Sequence, residues 1–143
     1  MATNTVSAVL FAKDLSKVAS FYREVFGARV LRRDAEHEVL LCLGFQLVIH
    51  QIPNAIAQSI VLATPPERRE RTAIRLNFPV DDIGKSRTEA RRLGGQIDDR
   101  PPFWAGDDGS IFLGYDPEGN VIGVMSAGRS LERRQEASSD KSS

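Results

Sequence analysis

The strongest constraint in this sequence is an internal repeat. Ala12-Lys13-Asp14-Leu15 in the first half corresponds to Val80-Asp81-Asp82-Ile83 in the second half, and Gly27 corresponds to Gly95. Each half begins with a short β-prone segment, followed by an Asp that can cap a helix, an amphipathic helical stretch and a glycine that can end that helix. Three more strand-like segments complete each half. The repeat therefore predicts an α+β fold made of two βαβββ modules.

The repeat also predicts the domain organisation. We expect one domain over residues 1–127, with modules at 5–52 and 72–127, a linker at 53–71 that includes an extended piece at 59–63, and a disordered tail at 128–143. We expect helices at 14–27 and 83–93, and strands at 6–12, 28–33, 38–43, 45–52, 74–80, 96–100, 111–115 and 120–125.

Composition excludes several classes of function. The 143 residues carry 19 basic and 19 acidic side chains, so no excess of positive charge indicates a nucleic-acid partner. No apolar stretch approaches the roughly 20 residues that cross a bilayer, and the N-terminus lacks the pattern of a secretory signal. We therefore expect a cytoplasmic protein with no membrane or nucleic-acid partner. The single cysteine, Cys42, lies between leucines and is expected to be a buried thiol.

Two motifs within this repeat resemble the vicinal oxygen chelate superfamily. The stretch Phe11-Ala12-Lys13-Asp14-Leu15, with Phe21-Tyr22 and Phe26-Gly27 after it, resembles the opening module of that superfamily. Asp116-Pro117-Glu118-Gly119-Asn120 resembles the turn before its last strand. Together with the repeat, these motifs extend the resemblance over roughly residues 5–127.

The resemblance implies a fold and a range of activities. The two modules would form an open, cupped mixed sheet around a cleft, as in glyoxalase I, extradiol dioxygenases and bleomycin resistance proteins. Enzymes of the superfamily typically hold a divalent metal ion in this cleft through His, Glu or Gln side chains. The ion binds vicinal oxygens of the substrate and acts as a Lewis acid. The resemblance also implies a homodimer.

The positions that match the superfamily's metal ligands are mostly occupied by other residue types. Ser7 and Arg75 correspond to the first-strand ligand of each module, Gly123 to the last-strand Glu, and His50 to the remaining ligand. Arginine is permanently cationic, glycine has no side chain, and one imidazole does not make a metal site. The sequence therefore predicts that no metal cofactor is bound.

Alternation along the strands predicts which residues line the cleft. Residues two apart share one face of a strand, so four strand faces are expected to point into it. These faces are Ser7, Val9 and Phe11; Gln46, Val48 and His50; Arg75 and Asn77; and Val121, Gly123 and Met125. The opposite face of the fifth strand (Ile74, Leu76, Phe78 and Val80) is expected to pack against helices.

Arg75 and His50 are the candidate catalytic residues. In a functional role, Arg75 holds a carboxylate, phosphate or enolate-like group through bidentate hydrogen bonds. In a structural role, it makes an internal ion pair or covers a sheet edge. His50 either acts as a general base or hydrogen-bonds a ligand, or is a structural histidine at a strand end or dimer contact.

Aromatic residues supply further candidates for ligand binding. Phe103 and Trp104 either stack on a planar ligand at the border of the cleft or plug the end of the core. Tyr115 offers a hydroxyl group. Tyr22 is expected in the core, and His37 and Glu118 in solvent.

Two functions remain open at this stage. The first is a metal-free, glyoxalase- or bleomycin-resistance-like protein that binds a small anionic or aromatic molecule in the cleft. The second is a lyase, isomerase or dioxygenase of the same superfamily that uses a divalent metal held by His50 and relocated ligands such as His37 or Glu118.

Overall fold

The computed structural model of the chain describes residues 5–106 and 110–126. The predicted tail at 128–143 lies outside the described residues. The elements in chain order are β1 (Ser7–Ala12), α1 (Leu15–Phe26), β2 (Arg29–Arg33), β3 (His37–Cys42), β4 (Phe45–Gln51), α2 (Asn54–Ala57), β5 (Leu76–Val80), α3 (Ile83–Arg92), β6 (Gln96–Ile97), β7 (Ile111–Tyr115) and β8 (Val121–Ser126). No helix in this part of the chain is both long and apolar enough to cross a membrane.

Each half of the chain forms its own four-stranded mixed sheet. The strand order is β1-β4-β3-β2 in the first sheet and β5-β8-β7-β6 in the second. In each sheet the first strand pairs in parallel with the last strand, and the remaining neighbours are antiparallel. The two sheets have the same topology, and the predicted α+β fold with paired βαβββ modules is confirmed.

The two long helices begin in the same way. The Asp14 carboxylate accepts the backbone N–H of Lys17 at 3.1 Å, and the Asp82 carboxylate accepts that of Lys85 at 3.1 Å. These contacts are N-cap hydrogen bonds, which satisfy a donor that the first helical turn leaves unpaired. Gly27 ends α1 in the left-handed region at φ 63°, as expected for a glycine at that position.

The segment that joins the modules differs from its predicted form. Residues 59–63 form no strand, and the preceding residues form the one-turn helix α2. Strand β5 begins at Leu76, so Ile74 lies before the strand and is 79% exposed instead of packing against a helix. Strand β6 ends at Ile97, and the side chain of the next residue, Asp98, pairs with Arg68 from the linker.

The core lies between the two sheets and is centred on α1. Phe21 and Tyr22 are buried on that helix, which confirms the predicted position of Tyr22. The rings of Phe26 in α1 and Phe78 in β5 stack with their centroids 4.3 Å apart, and the Tyr22 and Phe78 rings lie 5.6 Å apart. Helix α1 therefore packs against the second sheet as well as its own, so both modules share one core.

The turn at 116–120 joins the modules through buried polar contacts. The Asp116 carboxylate accepts hydrogen bonds from the Tyr22 hydroxyl at 2.8 Å and from three N–H donors of its own turn. The Glu118 carboxylate accepts the backbone N–H groups of Lys13 and Asp14 at 2.8 and 2.9 Å. Burial raises the pKa of Asp116, while these donors act in the opposite direction. This turn therefore closes the corner between β1 and α1.

Candidate functional site

The first sheet has one face on the core and one open face. Leu47 and Ile49 of β4 are buried against α1, whereas the alternate residues of β1 and β4 point away from the core. The parallel register places Ser7 beside Gln46, Val9 beside Val48, and Phe11 beside His50. Val9 and Phe11 are 52% and 60% exposed, so this face leaves apolar side chains in solvent. These predicted site residues therefore lie together on one surface.

His50 lies in a small aromatic cluster at the end of this open face. Its ring centroid is 5.5 Å from that of Phe11 and 4.2 Å from that of His37, which is its cross-strand neighbour on β3. Its Nδ1 lies 2.8 Å from the Gln51 carbonyl oxygen, and the Nδ1 of His37 lies 3.1 Å from an Asp34 carboxylate oxygen. Because both acceptors require a donor, each neutral ring carries its proton on Nδ1 and keeps Nε2 as an acceptor.

Arg75, Asn77 and Gly123 form a second group, on the second sheet. Asn77 pairs with Gly123 across the parallel β5–β8 ladder, and Arg75 Nε donates to Asn77 Oδ1 at 3.1 Å. A methyl group added to Gly123 would stand 2.1 Å from that same oxygen. The Asn77 amide therefore fills the space above Gly123 and holds the Arg75 side chain at one edge.

Trp104 completes this second group. The Arg75 guanidinium carbon lies 5.2 Å from the centre of the Trp104 ring, within the range of a cation–π contact. Trp104 is 51% exposed and Phe103 is 99% exposed, so neither residue plugs the core. Tyr115 lies apart from this group, because its hydroxyl group faces Gln96 at 3.3 Å and Arg68 lies over its ring.

The His50 cluster and the Arg75 group lie on different sheets. The described contacts of the His50 cluster stay within the first sheet, and those of the Arg75 group stay within the second module. The alternation along the strands predicts that both groups line one cleft. The strand register within each sheet agrees with the predicted faces. No described contact joins the two groups.

Three residues differ from their expected surroundings. Glu118 is 5% exposed rather than in solvent, because both of its oxygens face the backbone of the β1–α1 corner. His37 opens β3 and packs on His50, its partner in the antiparallel β3–β4 ladder. Cys42 is only half-buried, and burial raises the pKa of its thiol.

Comparison with known proteins identifies the family. A family model described as a glyoxalase-like domain matches residues 7–125. The chain belongs to this glyoxalase-like family, within the vicinal oxygen chelate superfamily. No curated protein matches the sequence.

Solved structures share the fold of this glyoxalase-like chain. The fosfomycin resistance protein FosX from Listeria monocytogenes superposes with a TM-score of 0.61 at 18% identity, covering 88% of this chain and 92% of FosX. Another FosX structure, complexed with Mn(II) and a sulfate ion, gives 0.61 at 16% identity, with 88% and 90% covered. A possible glyoxalase from Bacillus cereus gives 0.54 at 19% identity, with 87% and 99% covered. At these identities, the likeness shows the fold alone.

The positions that match the superfamily's metal ligands do not fit a divalent ion. Arg75 brings a fixed positive charge, and the Asn77 amide takes the space that a side chain at position 123 would need. Across the described ranges 5–106 and 110–126, no three His, Cys, Asp or Glu side chains lie close enough to share one ion. In this glyoxalase-like protein, three of the four positions that the resemblance matches to the superfamily's ligands are therefore Ser7, Arg75 and Gly123, and only His50 is of a usual ligand type.

Proposed function

We propose that this glyoxalase-like protein binds a small anionic, aromatic molecule without a metal ion. The observation that carries the proposal is the Arg75 guanidinium, held by Asn77 Oδ1 at 3.1 Å and stacked 5.2 Å from the centre of the half-exposed Trp104 ring. An arginine oriented by one hydrogen bond keeps its other N–H groups for a carboxylate or phosphate.

The surroundings of Arg75 favour a planar ligand. Trp104 contacts the cation and is half-exposed, and its chain neighbour Phe103 is almost fully exposed. An aromatic ring stacked on an exposed indole removes apolar area from water, and its charged substituent meets the guanidinium. A flat ring with one anionic group therefore matches both features.

A second copy of the chain would complete the site. Val9 and Phe11 expose apolar surface beside His50, and the Arg75 group lies on the other module. We propose a homodimer in which the open face of one protomer covers that of its partner, which brings His50 within reach of the ligand held by Arg75. Sedimentation of the purified protein measures this state, and a monomer at all concentrations contradicts it.

Trp104 is the only tryptophan in the chain, so its fluorescence reports on the site directly. We expect benzoate to change this fluorescence saturably, and benzamide, its uncharged counterpart, to bind at least about tenfold more weakly. We expect Arg75→Gln to raise the Kd for benzoate about 10- to 100-fold, because one charge-assisted hydrogen bond is worth about 1.5–3 kcal/mol.

Arg32→Gln serves as the matched control, because Arg32 is an exposed arginine on the first sheet and its replacement changes the net charge equally. Its Kd for benzoate is expected to stay within about twofold of the wild type. Equal affinity of the wild type and Arg75→Gln would remove Arg75 from the site. Equal affinity for benzoate and benzamide would remove the anionic group from the ligand.

Metal-dependent catalysis is the second candidate, and the paired imidazoles of His37 and His50 favour it. Their ring centroids lie 4.2 Å apart, and both Nδ1 atoms already have partners, which leaves Nε2 to face an ion. Elemental analysis of protein purified without chelator is expected to find no stoichiometric divalent ion. One bound ion per chain that is lost in His50→Ala would instead establish this second function.

A further inference from the structure

A cavity of about 800 Å³ lies between the two modules, away from the open sheet faces. One wall comes from the β1–α1 corner with Lys13 and Lys17, and another from the end of α3 with Arg91. The linker closes a third side with residues 64–66, and Tyr115 also lines the space. A volume of this size is typical of sites for small metabolites.

The internal repeat builds a second cavity of about 500 Å³ at the equivalent place in the other half. There Asp81, Asp82 and Lys85 stand in the positions that Lys13, Asp14 and Lys17 occupy in the first cavity. Four acidic side chains and one lysine line the second cavity, whereas three basic and two acidic side chains line the first. The two cavities are therefore lined by equivalent backbone segments of the repeat, and their net charges have opposite signs.

Both acidic side chains of the first cavity accept hydrogen bonds from backbone N–H groups. Glu118 accepts the N–H groups of Lys13 and Asp14 through its two oxygens, and Asp14 accepts the N–H of Lys17. These carboxylates face backbone donors, so they do not pair with the basic side chains in the same wall. With three basic and two acidic side chains, the lining of the first cavity carries one net positive charge.

Several donors in this cavity have no partner in the described part of the chain. The Lys17 ammonium group makes no hydrogen bond or ion pair there, and it lies over Gly94, where an added methyl group would stand 3.8 Å from Nζ. The Asn54 amide and the Thr64 hydroxyl group likewise have no described partner. Arg91 has one weak contact, 3.5 Å to the exposed Asp99. Pro65, Pro66 and Pro117 add apolar wall between these polar groups.

We propose that this cavity is a second binding site, distinct from the Arg75 site, for a small organic anion with a phosphate or carboxylate group. Lys17 and Arg91 hold the anionic group from opposite walls. The prolines and the Tyr115 ring contact the organic part of the ligand. The second cavity, which is lined by equivalent segments but is acidic, does not bind anions.

Titration of ¹⁵N-labelled protein with inorganic pyrophosphate and, separately, with succinate at constant ionic strength tests the proposal. We expect saturable shifts of the Gly94 and Gly95 amide signals, with the stronger probe identifying the anionic group as phosphate or carboxylate. In the double variant Lys17→Gln/Arg91→Gln, the Kd for the stronger probe is expected to rise at least about tenfold, because the anion loses two charged partners.

Lys85→Gln is the matched control, since Lys85 is the repeat equivalent of Lys17 in the acidic cavity. The Kd of Lys85→Gln for pyrophosphate or succinate is expected to stay within about twofold of the wild-type value. The same is expected of Arg75→Gln, so a failure of the proposed Arg75 site would not change the outcome of this titration. Absence of saturation with both probes would overturn the proposal. Equal loss in Lys85→Gln, or unchanged binding by a folded Lys17→Gln/Arg91→Gln variant, would also overturn it.

Discussion

At the scale of single residues, Asn77 and Gly123 act as one unit. The amide of Asn77 bonds Arg75 and occupies the space over Gly123, where no side chain fits without movement. The absence of a side chain at Gly123 thus leaves room for the Asn77 amide. That amide in turn orients the Arg75 guanidinium. The chemistry of this edge depends on a volume match as much as on charge.

We expect Gly123→Ala to displace the Asn77 amide, because its methyl group would stand 2.1 Å from Asn77 Oδ1, and to lower the free energy of unfolding by no more than about 1 kcal/mol, because that amide ends an exposed side chain. It should also weaken benzoate binding, since a displaced amide releases Arg75. Urea denaturation and the Trp104 titration measure the two effects.

Asn77→Ala combined with Gly123→Ala supplies the control. Removing the amide makes room for the methyl group, so most of the stability should return while binding remains weak. Additive stability losses in the double variant would show that the two side chains do not share this space.

At the scale of elements, Glu118 connects the turn before β8 to the corner between β1 and α1. Its two oxygens satisfy two backbone N–H groups that precede α1 and that would otherwise lack partners in a partly buried corner. One carboxylate from the second module thus completes the entry to the first helix.

We expect Glu118→Ala to lower the free energy of unfolding by about 2–4 kcal/mol, because two N–H groups lose their acceptors at once. The exposed Glu36, whose side chain makes no described hydrogen bond, gives the comparison variant Glu36→Ala, for which a change within about 0.5 kcal/mol is expected. Similar denaturation midpoints for the two variants would contradict the structural role of Glu118.

Local sequence patterns predicted the elements well because their causes are local. Asp14 and Gly27 bound α1 through contacts within a few residues, and alternation put Val9 and Phe11 on the open face. The expectation that Glu118 lies in solvent was wrong, because its partners are about a hundred residues away along the chain. The same reason hid the cavity between the modules, since no single segment forms its walls.

At the scale of the whole molecule, the bond between Tyr22 and Asp116 joins the halves inside the shared core. Burial is the largest cause that raises the pKa of the Tyr22 hydroxyl group well above its usual value of 10.0, and the nearby Asp116 carboxylate adds to it. Folding therefore favours the protonated phenol. The native state keeps this proton at a pH where the unfolded chain has lost it.

Stability should consequently fall as the pH rises above about 10, where only the unfolded state ionises at this residue. We expect Tyr22→Phe to be less stable than wild type at pH 7–9 by about 1.5–3 kcal/mol, the worth of a hydrogen bond to a charged group. This difference should shrink above pH 10. Chemical denaturation across the range measures it, and a constant difference up to pH 11 would contradict the assignment.

The amide of Asn77 over Gly123 also limits how a metal ligand could be engineered into this edge. A glutamate introduced at position 123 would meet that amide, and replacing the amide would leave Arg75 without its hydrogen-bond partner. Building a metal site here would therefore require changes at several positions together, because each of these three residues constrains the others.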